Sequence, residues 1–235
     1  MRFFRLLAFV TISVFLLCTI APPIVNSGDS ASSDIKWYGL REACIKYRIT
    51  GNIGGVGEIS GGEELCFGDY GAKQVRIQNQ KVTTMGMTQV TKTATYTDLS
   101  EAGIIYVVDL STDPPTGTRT ENPMIKSLQE EDLKEVGKKL MEAWGGKIIG
   151  KGKVLGKECD IWEVSNMGTK TWIWNWINLK TETSMGMIMT TEATEISEKC
   201  DKKKLVKPNI KYEDMSKKMK SIEGLGDMMK QFQPE

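Results

Sequence analysis

The chain has 235 residues, with 31 lysines and arginines against 30 aspartates and glutamates, so its formal net charge is only +1. This balance offers no clustered positive charge for nucleic acid, and it argues against nucleic-acid binding. The chain has no histidine, which excludes Ser-His-Asp and Cys-His catalysis and histidine-ligated zinc. We therefore expect a non-enzymatic protein that carries no metal or cofactor.

Residues 1–27 have the pattern of a secretory signal peptide. Arg2 and Arg5 precede an apolar run over residues 6–20, and small or polar residues follow as far as Ser27. A basic start, an apolar segment of about 7–15 residues and a small-residue exit are typical of such signals. We expect cleavage after Ser27 and a periplasmic or secreted protein. A retained membrane anchor is the alternative, because the apolar run is close to the lower limit of about 17–25 residues for a spanning helix.

The remaining chain divides into three parts. Residues 28–36 are small and polar, and they predict a flexible lead-in to a single domain over residues 37–207. Residues 208–235 predict a C-terminal amphipathic helix, which could contact a membrane or a protein partner. The apolar residues that recur at helical spacing in it are Met215, Met219, Ile222, Met229 and Phe232.

Most of the domain has the period-two alternation of β-strands. Ile45, Tyr47 and Ile49 alternate with polar residues, which predicts that they share one face of a strand. Strand patterns continue to residue 110 and return over residues 147–198. The expected turns fall at residues 51–62, 69–71, 113–117, 156, 166–168 and 178.

One helix is predicted between the two runs of strands. It begins near Asn122, where Pro123 occupies the first helical position, and ends at Gly145. The order sheet, helix, sheet, helix predicts an α+β fold with an antiparallel sheet rather than a parallel doubly wound fold.

Four cysteines follow the signal segment, and an even number in an exported protein favours disulfides. Cys44 and Cys66 are equally distant from Gly55, so a hairpin centred on this glycine would place them opposite each other. We predict a Cys44–Cys66 bond, which leaves Cys159 and Cys200 for a second one. Free, buried thiols are the alternative.

Three tryptophans form the strongest candidate site. Trp172, Trp174 and Trp176 alternate, so a strand would present all three on one face, with Ile173 and Ile177 on the other. Indole rings bury large apolar areas. The stripe is interpreted either as core or as the wall of a cavity for acyl chains, with a carbohydrate platform as a further option.

Methionines recur in two similar Met-Gly-Met segments at Met85–Met87 and Met185–Met187, and Met189 follows the second. Methionine is flexible filler for irregular apolar surfaces, so Met85, Met87, Met185 and Met187 are predicted to line the cavity with the tryptophans. Thioethers also bind soft Cu(I), and a copper site is the alternative.

Several segments resemble a known bacterial family. They are Phe67–Arg76, Tyr106–Leu110, Gly156–Val164, Gly168–Trp174 and Ile177–Glu182. Together they resemble uncharacterised envelope proteins of the half-barrel superfamily of the outer-membrane lipoprotein carrier and receptor. This resemblance implies a curved antiparallel sheet, an incomplete β-barrel, with one or two helices packed on its concave face and room there for acyl chains.

The sequence thus predicts an exported, non-enzymatic envelope protein that binds or shields an apolar ligand, either an acyl chain or the lipid of a lipoprotein. Two alternatives remain. One is a methionine-rich Cu(I)-binding protein, and the other is a structural or partner-binding envelope protein without a small ligand.

Overall fold

The structure is a computed structural model and describes residues 36–101, 104–121 and 141–215. These residues form one large, curved, open sheet of twelve strands. The strands are β1 Ala43–Ile53, β2 Gly57–Gly68, β3 Lys73–Thr84, β4 Met87–Asp98, β5 Ile104–Asp109, β6 Thr116–Glu121, β7 Gly146–Val154, β8 Lys157–Val164, β9 Thr169–Trp174, β10 Ile177–Thr183, β11 Ile188–Ser197 and β12 Tyr212–Asp214.

The order of strands across the sheet is β12-β6-β5-β4-β3-β2-β1-β11-β10-β9-β8-β7. Every neighbouring pair is antiparallel except β12 and β6, which are parallel. β1 pairs with β2 on one side and with β11 on the other. The two runs of strands predicted from the sequence are therefore halves of one sheet that meet at β1, and the predicted antiparallel sheet is confirmed.

The alternation in β1 matches the prediction. Ile45, Tyr47 and Ile49 are buried, and the residues between them are exposed. Most predicted turns are also confirmed, including a short 3-10 turn at Asp69–Gly71 between β2 and β3. Gly156 adopts a positive φ of 75° between β7 and β8, where glycine has no steric penalty.

The turn expected near Asn178 was misplaced. Asn175 and Trp176 have φ values of 49° and 61° and form the two-residue connection between β9 and β10. Such positive φ values at both central positions are typical of tight hairpin turns. As a result Ile177 begins a new strand, and it is fully buried in the cluster that the tryptophans contact, rather than on the opposite side with Ile173.

The largest buried cluster, called the main core here, consists of residues of the sheet, of the segment that precedes β1 and of the short 3-10 turn after β4. Trp172, Trp174 and Trp176 pack against it and are partly buried. Its buried members are Trp37, Tyr38, Ala43, Ile45, Tyr47, Leu65, Phe67, Leu99, Ile105, Val154, Cys159, Ile177, Leu179 and Ala193.

A second cluster lies on the other face of strands β1 to β5. Adjacent residues Leu65 and Cys66 belong to different clusters, because successive side chains of a strand point to opposite faces. Residues 200–211, called the strap, cover this second cluster before the chain enters β12. Cys200, Leu205 and Ile210 of the strap contact it, together with Tyr212 at the start of β12.

Little helix is present in the described residues, so the helical part of the predicted α+β fold is not shown. The helix predicted over residues 122–144 lies mainly outside them, but residues 141–143 are helical. The amide of Gly145, which has a φ of 77°, donates to the carbonyl of Glu142 over 2.8 Å and ends this helix as predicted.

The C-terminal helix was predicted to begin at residue 208, but residues 212–214 form β12 instead. Residues 216–235, the predicted signal peptide over residues 1–27 and the predicted lead-in as far as residue 35 lie outside the described part of the chain. Among the residues that are described, we find no helix with the length and apolarity needed to cross a membrane.

Candidate functional site

The three candidate tryptophans lie together at the end of β9. Trp172 and Trp174 belong to this strand and Trp176 to the turn that follows it. The amide of Gly39 donates to the carbonyl of Asn175 over 2.8 Å, which fixes this turn against the segment before β1. All three indoles contact the main core without being fully buried. We call Trp172, Trp174 and Trp176 the indole strip.

Trp172 reaches across β8 towards β7. A Cβ on Gly152 would lie 2.8 Å from the indole nitrogen of Trp172 and 3.1 Å from Cδ1 of Ile161. A side chain at position 152 would occupy the space that the ring fills. Glycine at this position therefore leaves room for the indole of Trp172 next to β7.

Two lysines lie over rings of the indole strip. Nζ of Lys157 lies 4.4 Å from the ring centre of Trp174, and Nζ of Lys180 lies 4.9 Å from that of Trp172. A cation above an indole face is attracted by the ring quadrupole. Lys180 pairs with Glu182 at 2.9 Å, and this hydrogen bond raises the pKa of Lys180. The strip thus joins an apolar surface to a positively charged border.

The candidate methionines do not line the same surface. Met85 and Met185 are 79% and 63% exposed, because they lie in the hairpin tips between β3 and β4 and between β10 and β11. Met87 is exposed beside the first tip. Only Met187 is packed inward, against a small cluster of Ile49, Ile59 and Met189.

These tips form one continuous edge of the sheet, which we call the apical rim. The amide of Met85 contacts the carbonyl of Val56 in the β1–β2 tip over 3.4 Å, and Asn52 pairs with Ile188 of β11. The exposed apolar residues of the apical rim are Val56, Met85, Met87, Val90, Met185 and Ile188.

The geometry of the rim does not favour the copper alternative. Four strand spacings separate the β3–β4 tip from the β10–β11 tip. At roughly 4.8 Å for each spacing, this is about 19 Å along the sheet. One Cu(I) ion cannot bind thioethers from both tips over this distance, so the structure does not bring the two Met-Gly-Met segments together.

Polar residues that the sequence analysis did not identify lie buried within the sheet. Glu63 of β2 is 4% exposed and forms an ion pair and hydrogen bond with Arg76 of β3. The second carboxylate oxygen of Glu63 and the side-chain nitrogens of Gln78 and Gln80 have no hydrogen-bond partner among the described residues. The sequence did contain an indication of this group. Polar residues occupy alternate positions of β3, from Gln74 to Gln80, on a face that would be apolar if it belonged to an ordinary core.

A polar cleft of about 710 Å³ lies between the strap and the ends of β2, β3 and β4. Lys207 of the strap pairs with Glu101 and lies 4.2 Å from the ring centre of Tyr106. The hydrogen bond from Lys207 lowers the pKa of Glu101. The charged residues that line the cleft are Arg41, Glu42, Asp69, Lys73, Asp98, Glu101, Lys202 and Lys207. This lining suits a polar solute rather than an acyl chain.

The cysteines agree with only half of the predicted pairing. Cys44 and Cys66 are directly opposite in β1 and β2 and are joined by a disulfide, as predicted, and such a bond is typical of compartments outside the reducing cytosol. The predicted Cys159–Cys200 bond is wrong, since both residues are free thiols. Cys159 belongs to the main core, whereas Cys200 packs on the opposite face with the strap.

Comparison of the chain with protein-family models found no match. The search of curated proteins also found no match.

Proposed function

We propose that this protein is an exported, non-enzymatic envelope protein that binds the acyl chain of a lipid or lipoprotein at the indole strip. The observation that carries the proposal is the partial burial of the three indoles. They pack against the main core and remain partly exposed to solvent.

An acyl chain would gain free energy by covering this surface. Burial of apolar area contributes roughly 25 cal/mol per Å², so covering about 100 Å² of indole would contribute about 2.5 kcal/mol. Burial of the ligand's own methylene groups would contribute further hydrophobic free energy. The ligand would lie along the strip from Trp172 towards Trp176, where the turn meets the segment before β1.

The lysines would favour an acyl chain that ends in an anionic group. Lys157 has only a loose ion pair, at 3.5 Å from Glu198, and its ammonium lies over Trp174. A carboxylate or phosphate head group could replace Glu198 as the partner of this ammonium while the chain covers the indoles. An uncharged alcohol of the same chain length would gain no binding free energy from these lysines.

Quenching of tryptophan fluorescence by brominated fatty acids tests the proposal. Titration with bromododecanoate should quench the emission with saturation, and replacing Trp174 and Trp176 together with leucine should weaken the apparent affinity at least tenfold. Trp144→Phe is the matched control, because Trp144 belongs to a separate cluster with Met141 and Trp162. Absence of saturable quenching, or unchanged affinity in the double variant, would contradict the proposal.

A second titration separates the roles of ring and charge. Lys157→Gln should weaken binding of dodecanoate and leave binding of dodecanol unchanged. Equal effects on both ligands would remove the head-group part of the proposal. Extraction of the purified protein into organic solvent should also release lipid.

A further inference from the structure

The strap holds a free thiol against the disulfide of the sheet. The Sγ atoms of Cys44, Cys66 and Cys200 all lie within 4.8 Å of one another. Cys44 and Cys66 are bonded to each other, while Cys200 keeps a free, partly buried thiol.

Contacts of the residues that follow Cys200 hold the strap against the sheet. Asp201 accepts a hydrogen bond from the amide of Lys203 at 3.0 Å and begins the short 3-10 turn of the strap. Lys204 pairs with Glu64 of β2 at 2.8 Å. Leu205 lies 3.1 Å from the position of a Cβ on Gly68. The strap is therefore attached to the same strand that carries Cys66.

We propose that Cys200 and the Cys44–Cys66 disulfide form an intramolecular thiol–disulfide exchange site. The thiolate of Cys200 attacks Sγ of Cys44 or Cys66, and a new disulfide forms to the sulfur that is attacked. The Cys44–Cys66 bond breaks, and its electron pair leaves with the other sulfur as a thiolate, which then takes up a proton. One disulfide and one thiol are present before and after the step, so it needs no oxidant or reductant.

The exchange changes what the covalent link connects. Before it, the disulfide joins two neighbouring strands of one hairpin. After it, the disulfide ties the strap to the sheet and fixes one wall of the polar cleft, because Leu205, Val206 and Lys207 of the strap line that cleft. The new link closes a much longer loop of chain, and long loops restrict the unfolded state more than short ones.

Burial, and after it the charges around Cys200, make the exchange depend on pH. Burial raises the pKa of the Cys200 thiol, and the carboxylates of Glu42, Asp201 and Glu64 raise it further, while Lys204 acts in the opposite direction. Since only the thiolate attacks a disulfide, the rate of exchange should increase as the pH rises through the alkaline range.

Disulfide mapping of the full-length wild-type protein tests the proposal. The protein is incubated without reductant at pH 7 and at pH 9, quenched in acid, unfolded and labelled with N-ethylmaleimide. Peptide mass spectrometry should detect label at Cys44 or Cys66 after incubation at pH 9, with an equal loss of label at Cys200. The labelled fraction should not depend on protein concentration, since the step is intramolecular.

Two sets of variants act as controls. In Cys200→Ser, label should remain confined to Cys159 and to Cys18 of the N-terminal segment, which define the background. In Cys44→Ser and in Cys66→Ser, mild oxidation with glutathione disulfide should produce the bonds Cys66–Cys200 and Cys44–Cys200 respectively. Wild-type label that is absent from Cys44 and Cys66 at both pH values would overturn the proposal, whether or not the variants fold.

Discussion

The indole nitrogen of Trp172 lies 2.8 Å from the place where a side chain at position 152 would put its Cβ. Glycine is thus required at a position of β7 that lies two strands away from the tryptophan in the sheet. The placement of the Trp172 ring thus depends on the absence of a side chain at position 152.

Gly152→Ala should therefore displace the ring of Trp172 and destabilise the fold. Overpacking of this kind costs about 1–3 kcal/mol, measured as the free energy of unfolding in urea. Gly150→Ala is the control, because a Cβ there meets nothing within 4 Å. Equal unfolding midpoints for the two variants would contradict this prediction, because they would show that the Trp172 ring can move without loss of stability.

The buried pair of Glu63 and Arg76 gives a second prediction. Arg76→Met leaves the carboxylate of Glu63 buried without its cation, and such a loss typically costs about 3–5 kcal/mol. The double variant Glu63→Gln/Arg76→Met should recover part of this loss. Lys46→Met removes one partner of the exposed pair with Glu195 and should leave the unfolding midpoint unchanged. A double variant no more stable than Arg76→Met alone would contradict this account.

We expect the folded protein to lose stability in alkaline solution because of Tyr47. Its phenol is fully buried and donates to the carbonyl of Asn178 at 2.9 Å, and burial raises its pKa well above the usual value of 10.0. Below pH 10 both the folded and the unfolded phenol keep their proton, so the contribution to stability is complete. Above pH 10 the unfolded chain releases this proton first, and stability falls by up to about 1.4 kcal/mol per pH unit.

The measurement for Tyr47 is the urea midpoint between pH 8 and pH 11. Tyr47→Phe should be less stable than the wild type at pH 8 by about 1 kcal/mol, because it loses the hydrogen bond. Its midpoint should then fall less steeply with pH. Parallel pH profiles for the two proteins would assign the alkaline loss to other groups.

We expect the fold to tolerate substitution of the exposed methionines of the apical rim. Met85→Gln and Met185→Gln should change the free energy of unfolding by less than about 0.5 kcal/mol, as is usual at exposed positions. Met189→Gln, at a buried position of the same region, should cost more than about 2 kcal/mol. A large effect of Met85→Gln would indicate that something covers the rim in solution.

The sequence predicted the strands well because their alternation is local. The burial of Ile45, Tyr47 and Ile49 could be predicted from the alternation of apolar and polar residues in β1 alone. The pairing of Cys44 with Cys66 needed only the position of a glycine-rich turn between them. In both cases the decisive residues lie in one hairpin, so no knowledge of distant contacts was required.

The remaining features depend on contacts between distant parts of the chain. The position of Cys200 opposite Cys66 follows from the path of the strap, which no periodicity encodes. The turn at Asn175 and Trp176 was missed because a bulky indole at positive φ is uncommon. The Met-Gly segments were assigned to strands, although a glycine in such a segment also suits the tip of a hairpin.

Strand β7 ends the sheet on one side, and in the described residues no strand pairs with its outer border. Its register shifts between Ile148 and Gly150, and exposed lysines at positions 147, 151 and 153 lie along it. Such irregularity and charge oppose the addition of a foreign strand, which would otherwise start self-templated aggregation. The register shift and these lysines therefore disfavour pairing of a second copy of the chain with this open edge.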